Sequence, residues 1–468
     1  MKTEGGNCPD APGRRLLLGH LPAAMLDPVG FFESTRTADP LVRVRLGSLN
    51  LYLANEPETV HRLQIDGEAF ERGRFFDQLA GHFGRPPIAL DGAPHAAQRR
   101  MLKPAFNKGS VLSHSEMLRR NAAGLAESWR AGPMPDVKQQ VADYTASCVL
   151  HGLFGGDLSQ GEIHDIQRTI HLVALRLLPG TLLPAALGAL PVPGKRELNS
   201  ALLRFRSLVA RMIAERERQQ SAAGHDVLDA LLRAGVGDDG ARLSPAEIQG
   251  ELLILLFAAL ETTSTTLSWA LVELASHPRT AHPLYAEADR LATQRAAQPS
   301  YARRVLQETM RLHSPILFTR RARHAVELDG VRLPAGAEVG YSPRAMHRNA
   351  AFHPDPLSFD PYRPSLDSAH GPRGAFIPFG IGPHRCIAEH FAMAVMAAAL
   401  TAIASRWELA LPANAEIVES PSSLPEPKTV PLLLTPRRRE SLENQRAARG
   451  LAAQPEDAHQ PIGAAWRG

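Results

Sequence analysis

Cysteine, net charge and uninterrupted apolar runs are all scarce in this sequence of 468 residues. Three cysteines are too few for a disulfide-based scaffold or for a zinc site made only of cysteines, and they are typical of a reducing compartment, so we expect a cytoplasmic protein. The 52 basic and 48 acidic residues leave a formal charge of +4, too little to predict nucleic-acid binding. An apolar content of 44% excludes intrinsic disorder.

Apolar runs able to cross a membrane are also lacking. The first ten residues, MKTEGGNCPD, contain no apolar segment of the kind that a secretory signal needs. Residues 177–193 form the longest uncharged apolar stretch, but four prolines interrupt it, whereas a spanning helix requires about 20 apolar residues in helical conformation. We therefore expect no secretory signal and no transmembrane anchor.

The hydrophobic periodicity predicts a mainly α protein with a small β portion. Alternating apolar residues indicate a β-hairpin over 42–53. A capping box begins a helix over 244–275 that is apolar nearly all round, which predicts a central, buried helix. Further helices are predicted over 300–313, capped by its first serine, and from about 387 to 407.

The domain organisation predicted from composition is simple. No internal repeat and no change in composition occur before residue 436, so residues 12–435 are predicted to form one large domain. Residues 1–11 are expected to be a flexible N-terminus. Residues 436–468 contain six arginines and four acids, and we predict that they form a disordered tail.

The most informative segment is FGIGPHRCIA, residues 379–388. Gly380 and Gly382 permit a tight turn and a close approach to a flat group. Cys386 follows them just before a predicted helix, whose positive end favours a thiolate, so we expect a lowered pKa for Cys386. A thiolate at the tip of a glycine-built loop suits the axial ligand of a haem iron, and an inert buried cysteine is the alternative.

This segment, followed by Phe391-Ala392, resembles the cysteine-ligand loop of the cytochrome P450 family. Further motifs occur in the family's order, and the resemblance covers residues 12–435, nearly all of the chain except the tail. It implies the cytochrome P450 fold and a haem b cofactor. It also implies that Cys386 is the iron ligand and that Phe379 and Gly380 contact the haem.

Glu308-Thr309-Met310-Arg311 resembles the E-x-x-R helix of that family. Taken alone, two charges at i and i+3 usually form a solvated salt bridge worth about 0.3–0.5 kcal/mol. The resemblance implies instead a structural triad of Glu308, Arg311 and Arg363 that supports the core on the haem side.

Glu261 and Thr262 interrupt the long apolar helix, where burying an acid and a hydroxyl is costly unless they serve a purpose. The resemblance implies catalytic roles: Thr262 positions the proton that cleaves the O–O bond, and Glu261 relays protons from solvent. A core threonine with a satisfied hydroxyl, beside a glutamate that reaches solvent, is the alternative interpretation.

Four side chains match the family's contacts to the haem carboxylates. His95 and Arg99 share one helix face at i and i+4, His384 lies in the cysteine loop, and Arg320 follows the E-x-x-R helix. Two cations and two imidazoles provide a suitable environment for two buried carboxylates.

The resemblance implies a haem-thiolate monooxygenase that inserts one oxygen atom from O2 into a C–H bond of a hydrophobic small molecule. No fused reductase fits in this length, so we expect separate electron donors, a ferredoxin and a ferredoxin reductase. We also expect the protein to be a monomer. The ferredoxin would dock on a basic face of Arg99, Arg100, Lys103, Arg119, Arg120 and Arg385. A peroxide-driven haem-thiolate hydroxylase and a haem-binding sensor without turnover are the alternatives.

The substrate is the least constrained feature of the sequence. The resemblance implies a mostly apolar pocket that comprises Phe75, Phe76, Leu256, Phe257, residues 315–318 and residues 420–425, with residues 177–193 beside the access channel. Residues 98–106 and 190–196 are similar to bacterial members that oxidise terpenes in secondary metabolism. Fatty acids and polyketides remain alternatives.

Overall fold

The fold is seen in a computed structural model that describes residues 8–15, 18–37, 39–83, 90–155, 158–183, 195–219, 226–233, 243–294, 299–367 and 371–437. The helices are α1 (Leu21–Leu26), α2 (Pro28–Ser34), α3 (Pro57–Ile65), α4 (Arg74–Phe83), α5 (Gly92–Leu102), α6 (Lys108–Ser113), α7 (Ser115–Ser128), α8 (Lys138–Phe154), α9 (Gln160–Leu182), α10 (Lys195–Gln219), α11 (Val227–Arg233), α12 (Pro245–Ser276), α13 (Pro278–Thr293), α14 (Tyr301–Leu312), α15 (Pro343–His347) and α16 (Glu389–Ala404). The strands are β1 (Leu41–Leu46), β2 (Leu49–Ala54), β3 (Phe70–Arg72), β4 (Gly132–Met134), β5 (Phe318–Ala322), β6 (Val326–Leu328), β7 (Val331–Leu333), β8 (Glu338–Tyr341), β9 (Trp407–Ala410) and β10 (Leu432–Pro436).

The strands form three small sheets beside the helices. The largest has the order β1-β2-β8-β5-β3, and it contains the predicted hairpin β1–β2. β8 pairs with β2 in parallel and with β5 in antiparallel orientation, so that residues far apart in sequence meet at the β5–β3 edge. The other sheets are β4-β10-β9 and β6-β7. The prediction of a mainly α fold with a small β portion is confirmed.

The central helix α12 is the longest described element, with 32 residues, and lies in the core as predicted. Ser244 and Glu247 form the reciprocal capping box at its N-terminus. Among the described helices, α12 is the one long and apolar enough to cross a membrane. Its most apolar window is 61% buried inside the molecule, as is typical of a core helix.

Helix α14 is capped by a side chain that its own sequence does not reveal. Ser300 makes no side-chain cap to α14, contrary to the prediction. The Glu287 carboxylate of α13 instead accepts the N–H groups of Ser300, Tyr301 and Ala302, at 2.6, 2.8 and 2.9 Å. A carboxylate suits this position because it faces the positive end of the helix and satisfies donors that lack intrahelical partners.

Several predicted boundaries need correction. Residues 8–11 pack against the domain, since Cys8 and Ala11 are buried and Asp10 forms a β-bridge with Arg43 of β1. The tail does not begin at residue 436, since β10 includes Pro436 and Arg437 forms an ion pair with Asp289 at 2.9 Å. Residues 1–7, 184–194 and 438–468 lie outside the described residues, and they include most of the segment 177–193 that is predicted to lie beside the access channel. The extent of the domain over 12–435 stays a prediction.

A partly buried ionic network joins the N-terminal part of the chain to the C-terminal part. His313 contacts Glu273 of α12 at 2.7 Å and Glu419 at 3.5 Å. Arg344 of α15 contacts Glu419 at 2.9 Å and Glu33 of α2 at 2.8 Å. Burial alone would raise the pKa of Glu273 and Glu419, but hydrogen bonds from histidines and nearby cationic charge lower both to about 2.

We expect the free energy of unfolding to decrease as the pH falls from about 5 towards 2. Both carboxyls have folded pKa values of about 2, below the ordinary 4.5, so their contribution is complete above the ordinary pKa and is lost as the pH falls through the folded values. Urea unfolding at several pH values measures this decrease. Glu419→Gln should lower stability at neutral pH by about 1–3 kcal/mol and flatten the pH dependence.

Glu416→Gln is the matched control, because Glu416 is exposed and lies three residues away from Glu419. It should leave both the stability and its pH dependence unchanged. A Glu419→Gln profile that parallels that of the unmodified protein would contradict the role assigned to this network.

Candidate active site

The cysteine loop is shaped by two glycines with left-handed backbone. Gly380 and Gly382 both have φ of +69°, which favours glycine over every residue with a Cβ atom. A Cβ atom on Gly382 would lie 2.9 Å from Cγ2 of Ile65, so the loop packs tightly on the end of α3. The Cys386 N–H donates to the Phe379 carbonyl at 2.8 Å. This bond closes the loop and fixes Cys386 at its end.

The Cys386 side chain is exposed although the surrounding chain encloses it. The thiol therefore faces an interior space rather than neighbouring side chains. Burial raises the pKa of Cys386 and outweighs the Ala388 N–H and the positive charges of Arg99 and Arg385. The predicted lowering of this pKa is wrong, because α16 begins only at Glu389 and desolvation exceeds the effect of its N-terminus.

The hydroxyl of Thr262 lies on a stripe of accessible residues along the otherwise buried helix α12. The residues of this stripe, spaced at i, i+3, i+4, i+7 and i+11, are Leu255, Ala258, Ala259, Thr262 and Thr266. Thr262 is exposed and donates its hydroxyl to the Ala258 carbonyl at 2.7 Å. Ala259 packs against the same core cluster as Phe379 and Ala388 of the cysteine loop. The stripe thus gives α12 an open, mostly apolar face that carries the hydroxyls of Thr262 and Thr266.

Glu261 projects from a different side of α12. One residue corresponds to a rotation of about 100° around a helix axis, so adjacent residues face different surroundings. Glu261 borders a cavity of about 360 Å³ between α8, α9 and α12, which Thr262 does not line. Burial, and then the charge of Glu426, raises the pKa of Glu261 to about 7. The two adjacent residues therefore face different surroundings, Thr262 the accessible stripe and Glu261 the cavity.

A cationic cluster lies between the β3–β5 edge, α5 and the cysteine loop. Arg72 of β3 is paired with Arg320 of β5 across the sheet, and the His95 and His384 rings are 4.2 Å apart. Asp91 accepts the Arg72 N–H at 2.8 Å and lies 3.1 Å from His384 Nε2. Three of the four predicted carboxylate contacts, His95, His384 and Arg320, meet here.

The remaining predicted member, Arg99, lies one helical turn after His95 and forms a link to the cysteine loop. Its charge acts on both His95 and Cys386. Burial lowers the pKa of Arg99, and the charge of Cys386 opposes this shift. Helix α5 thus places one cationic side chain between the cationic cluster and the thiol.

The sequence did not predict Arg72 or Asp91 as members of this site. Arg72 lies in a strand of three residues, too short for a periodic pattern, and only the pairing with β5 brings it to Arg320. Asp91 precedes the helix that carries His95, in the position of an N-cap, but makes no side-chain cap. An acid at a helix start is common, so this position alone carried no functional signal.

The cationic cluster contains more positive than negative groups. Burial, and then the charge of Arg320, lowers the pKa of Arg72 to about 9. Burial also lowers the pKa of His95 and His384 to about 4. Arg72 Nε and His384 Nδ1 have no hydrogen-bond partner among the described residues. An anion with several acceptor atoms would satisfy the Arg72 donor and offset the unfavourable burial of like charges.

The Glu308–Arg311 pair is completely buried and joins the chain segments that support the cysteine loop. The two side chains make bonds of 2.7 and 2.8 Å, and Arg363 reaches Glu308 at 3.2 Å. The other N–H groups of Arg311 donate to the carbonyls of His347, Pro356 and Ser358. The structure therefore brings together all three members of the predicted triad.

A chain of hydrogen bonds connects this triad to the cysteine loop. Arg311 holds the His347 carbonyl at 2.8 Å, and the His347 ring accepts the Ile377 N–H at 3.0 Å. The Ile377 carbonyl in turn accepts the Gly380 N–H at 3.0 Å. The triad thus acts on the position of Cys386 through the loop and does not itself face the interior space.

Aromatic rings cover the interior near the cationic cluster. Phe75 and Phe318 meet edge to face at 5.2 Å, Phe76 stacks on Phe318 at 6.3 Å, and Phe83 contacts Phe257 at 5.3 Å. These contacts bring predicted pocket residues from α4, α12 and β5 into neighbouring positions.

Three other predicted pocket residues do not face the interior space. Leu256 is fully buried in the main core. Ile316 and Leu317 pack in a separate core cluster with Phe31 and Phe32. Local sequence marked these positions as apolar, but their orientation depends on packing partners elsewhere in the chain.

The site as a whole fits haem b, and the fit rests on its donor set. Cys386 supplies a thiol that the neighbouring side chains leave uncovered, and metal coordination removes its proton. The unsatisfied Nε donor of Arg72, together with Arg320 and the His95 and His384 imidazoles, suits the two haem carboxylates. These features define a mainly helical haem-thiolate protein.

The chain belongs to the cytochrome P450 family, whose model matches residues 9–434. It is 33% identical to cyclooctat-9-en-7-ol 5-monooxygenase of Streptomyces melanosporofaciens over 409 residues, 85% of this chain and 89% of the relative. It is 28% identical to pentalenene oxygenase of Streptomyces avermitilis over 417 residues, 87% of this chain and 92% of the relative. The protein is a haem-thiolate monooxygenase that binds haem b and uses O2 and a hydrophobic substrate.

Arg72→Leu is expected to weaken haem retention, because it removes a buried donor from the cationic cluster. Haem should transfer from the variant to apomyoglobin about tenfold faster or more, since a hydrogen bond to a charged group contributes about 1.5–3 kcal/mol. Arg100→Leu is the control, because Arg100 is exposed on α5. Equal transfer rates in both variants and the unmodified protein would exclude Arg72 as a haem-carboxylate contact.

Proposed function

We propose that the protein hydroxylates a C–H bond of a terpenoid, with electrons delivered by a ferredoxin and its reductase. The accessible stripe on α12 is the observation that carries this proposal, because it presents a mostly apolar surface whose two hydroxyls, of Thr262 and Thr266, both donate to carbonyls of the helix itself. Such a surface suits a hydrocarbon skeleton that offers few polar groups for recognition. Terpenoid oxidation by the named relatives supports the same substrate class.

The aromatic residues around the interior favour a rigid, bulky substrate. Phe75, Phe76 and Phe318 pack edge to face or stacked on one another, and Arg72 lies over the Phe76 ring at 3.8 Å. Side chains held in this way form a firm apolar wall with little freedom to follow a flexible chain. This rigidity favours a cyclic terpenoid over a fatty acid.

The chain's own residues orient the substrate and hold and transfer protons. When bound, the haem supplies activation of O2 at an iron ligated by the Cys386 thiolate. The Thr262 hydroxyl, anchored on the Ala258 carbonyl at 2.7 Å, holds a proton at Oγ1 on the open face of α12. Glu261, on the adjacent position, moves protons from the cavity of α8, α9 and α12 towards Thr262. This acid–alcohol pair favours the O2-dependent reaction over a peroxide-driven one.

A panel of substrates tests the assigned class. Cyclic terpenes and their monohydroxylated derivatives should convert the ferric haem from low to high spin, whereas fatty acids of similar carbon number should not. Ala258→Leu should weaken terpene binding by about tenfold or more, because its added carbons overlap the substrate on the stripe. Ala96→Leu, on the exposed side of α5, is the matched control.

A fatty acid that binds more tightly than every terpene of the panel would contradict the assigned substrate class. Product analysis with a ferredoxin system and with hydrogen peroxide then separates the two oxidant systems. The proposal requires faster, better coupled hydroxylation with the ferredoxin system.

The ferredoxin is expected to dock where exposed cations surround the cysteine loop. Arg100, Lys103 and Arg120 are exposed on or beside α5 and α7 and make no ion pair with the described residues. Arg385 and Arg119 are exposed as well, but Glu389 and Glu116 pair with them. The unpaired members can therefore attract an acidic partner from a distance.

Reversing the charges of Arg100 and Lys103 together to glutamate should raise the KM for ferredoxin by about tenfold or more at low salt and reduce its salt dependence. Haem content and substrate binding should not change. Arg204→Glu with Arg211→Glu, exposed on α10, is a control of equal charge change. Equal effects of the two double variants would show that only the net charge matters and would contradict docking at the basic face.

A further inference from the structure

Three side chains from separate elements converge in the cavity beside Glu261. They are His171 of α9, Glu261 of α12 and Glu426 of the segment before β10, and their nitrogen and carboxylate oxygen atoms all lie within 4.8 Å of one another. Glu426 is 9% exposed, whereas His171 is 46% exposed. The group is therefore anchored in the molecule but open to solvent on the histidine side.

The polar atoms of this group are incompletely satisfied. The Glu261 carboxylate makes no hydrogen bond or ion pair with any residue that the structure describes. Thr265 lines the same cavity and is 2% exposed, and its hydroxyl has no hydrogen-bond partner in the described part of the chain. Two carboxylates this close repel each other, and a buried hydroxyl without a partner is costly. Both features would be relieved by a ligand with positive charge.

One cation of the protein already acts on this group. Lys138 of α8 lies 3.0 Å from Glu426, and His171 lies 3.5 Å from the same carboxylate. Lys138 thus offsets one of the two negative charges and leaves Glu261 unpaired. The other charged groups at the cavity are engaged elsewhere, since His164 lies 3.5 Å from Asp143 and Arg168 lies 2.6 Å from Glu197.

We propose that His171, Glu261 and Glu426 form a binding site for a divalent transition-metal ion of the Zn²⁺ type. One imidazole nitrogen and two carboxylates are a common ligand combination for zinc, whereas Mg²⁺ and Ca²⁺ prefer sites made of oxygen ligands. Ligands about 2.0–2.2 Å from a tetrahedral zinc are roughly 3.4 Å apart, so small side-chain rotations close the site. Water completes the coordination on the exposed side of His171.

The proposed site has a consequence for turnover that rests on the proposed proton relay. A metal ion on the Glu261 carboxylate would prevent this residue from carrying a proton between the cavity and Thr262. Zinc should then reduce the coupling of electron transfer to hydroxylation. Peroxide-driven turnover delivers its own protons and should be affected much less.

Zinc binding is measured on the ferric holoenzyme, purified without a histidine tag, by competition with a chromophoric chelator. His171→Ala and Glu426→Gln should each weaken the affinity by at least about tenfold, the smallest effect usual even for outer-shell partners of a metal. Lys138→Met should strengthen binding severalfold, because it removes a competing cation and keeps the apolar stem. Mg²⁺ should not compete at similar concentrations.

His164→Ala is the matched control, because this histidine lines the same cavity but is not one of the three ligands. It should leave the affinity unchanged. A CO difference spectrum of every variant verifies that the haem site is intact. Anomalous X-ray scattering at the zinc edge locates the ion directly.

The proposal is overturned if zinc does not bind. It is also overturned if the His171→Ala and Glu426→Gln variants bind zinc as tightly as the unmodified protein, because zinc would then be attached to unrelated surface histidines. Turnover is measured separately. Tight binding that depends on His171, with unchanged coupling, would support the metal site and contradict the proton relay through Glu261.

Discussion

The complete burial of Arg311 is the constraint on which the geometry of the site depends. All five N–H groups of this side chain donate, two to Glu308 and three to the carbonyls of His347, Pro356 and Ser358. A buried guanidinium tolerates no missing partner, because each unsatisfied donor carries the full cost of its desolvation. The segments that supply these acceptors are thereby fixed. Through His347 and Ile377, the same requirement reaches Gly380 and the loop that presents Cys386.

The two faces of α12 separate two kinds of chemistry. The stripe around Thr262 is mostly apolar and accessible, and it is the surface on which we propose that the substrate lies. The side that carries Glu261 is polar and borders a cavity shared with α8 and α9. An apolar substrate region excludes water, yet the reaction consumes protons, so a connection across the helix is required. The proposed relay places this connection on Glu261 and Thr262, whose side chains leave the same helix in directions about 100° apart.

The haem site and the proposed metal site meet opposite electrostatic requirements. Near Arg72 and Arg320 the chain buries an excess of positive charge, which suits the carboxylates of haem b. Near Glu261 and Glu426 it holds an excess of negative charge, which Lys138 offsets only in part. In both places the excess charge would be neutralised by a bound group of opposite charge. An excess of buried charge therefore indicates binding sites that the periodicity of hydrophobic residues in the sequence does not reveal.

Short-range patterns by themselves determined much of this protein. The capping box of α12, the glycines before Cys386, the i and i+3 pair of Glu308 and Arg311, and the i and i+4 pair of His95 and Arg99 are all local, because a few residues of backbone geometry fix their spacing. Tertiary structure decided what distant segments contribute. Arg72 joins the haem site only through strand pairing, Glu287 caps a helix that follows its own, and His171 and Glu426 reach Glu261 from separate elements. It also reversed the expected pKa shift of Cys386, because desolvation depends on everything that packs around a group, and no local pattern encodes that.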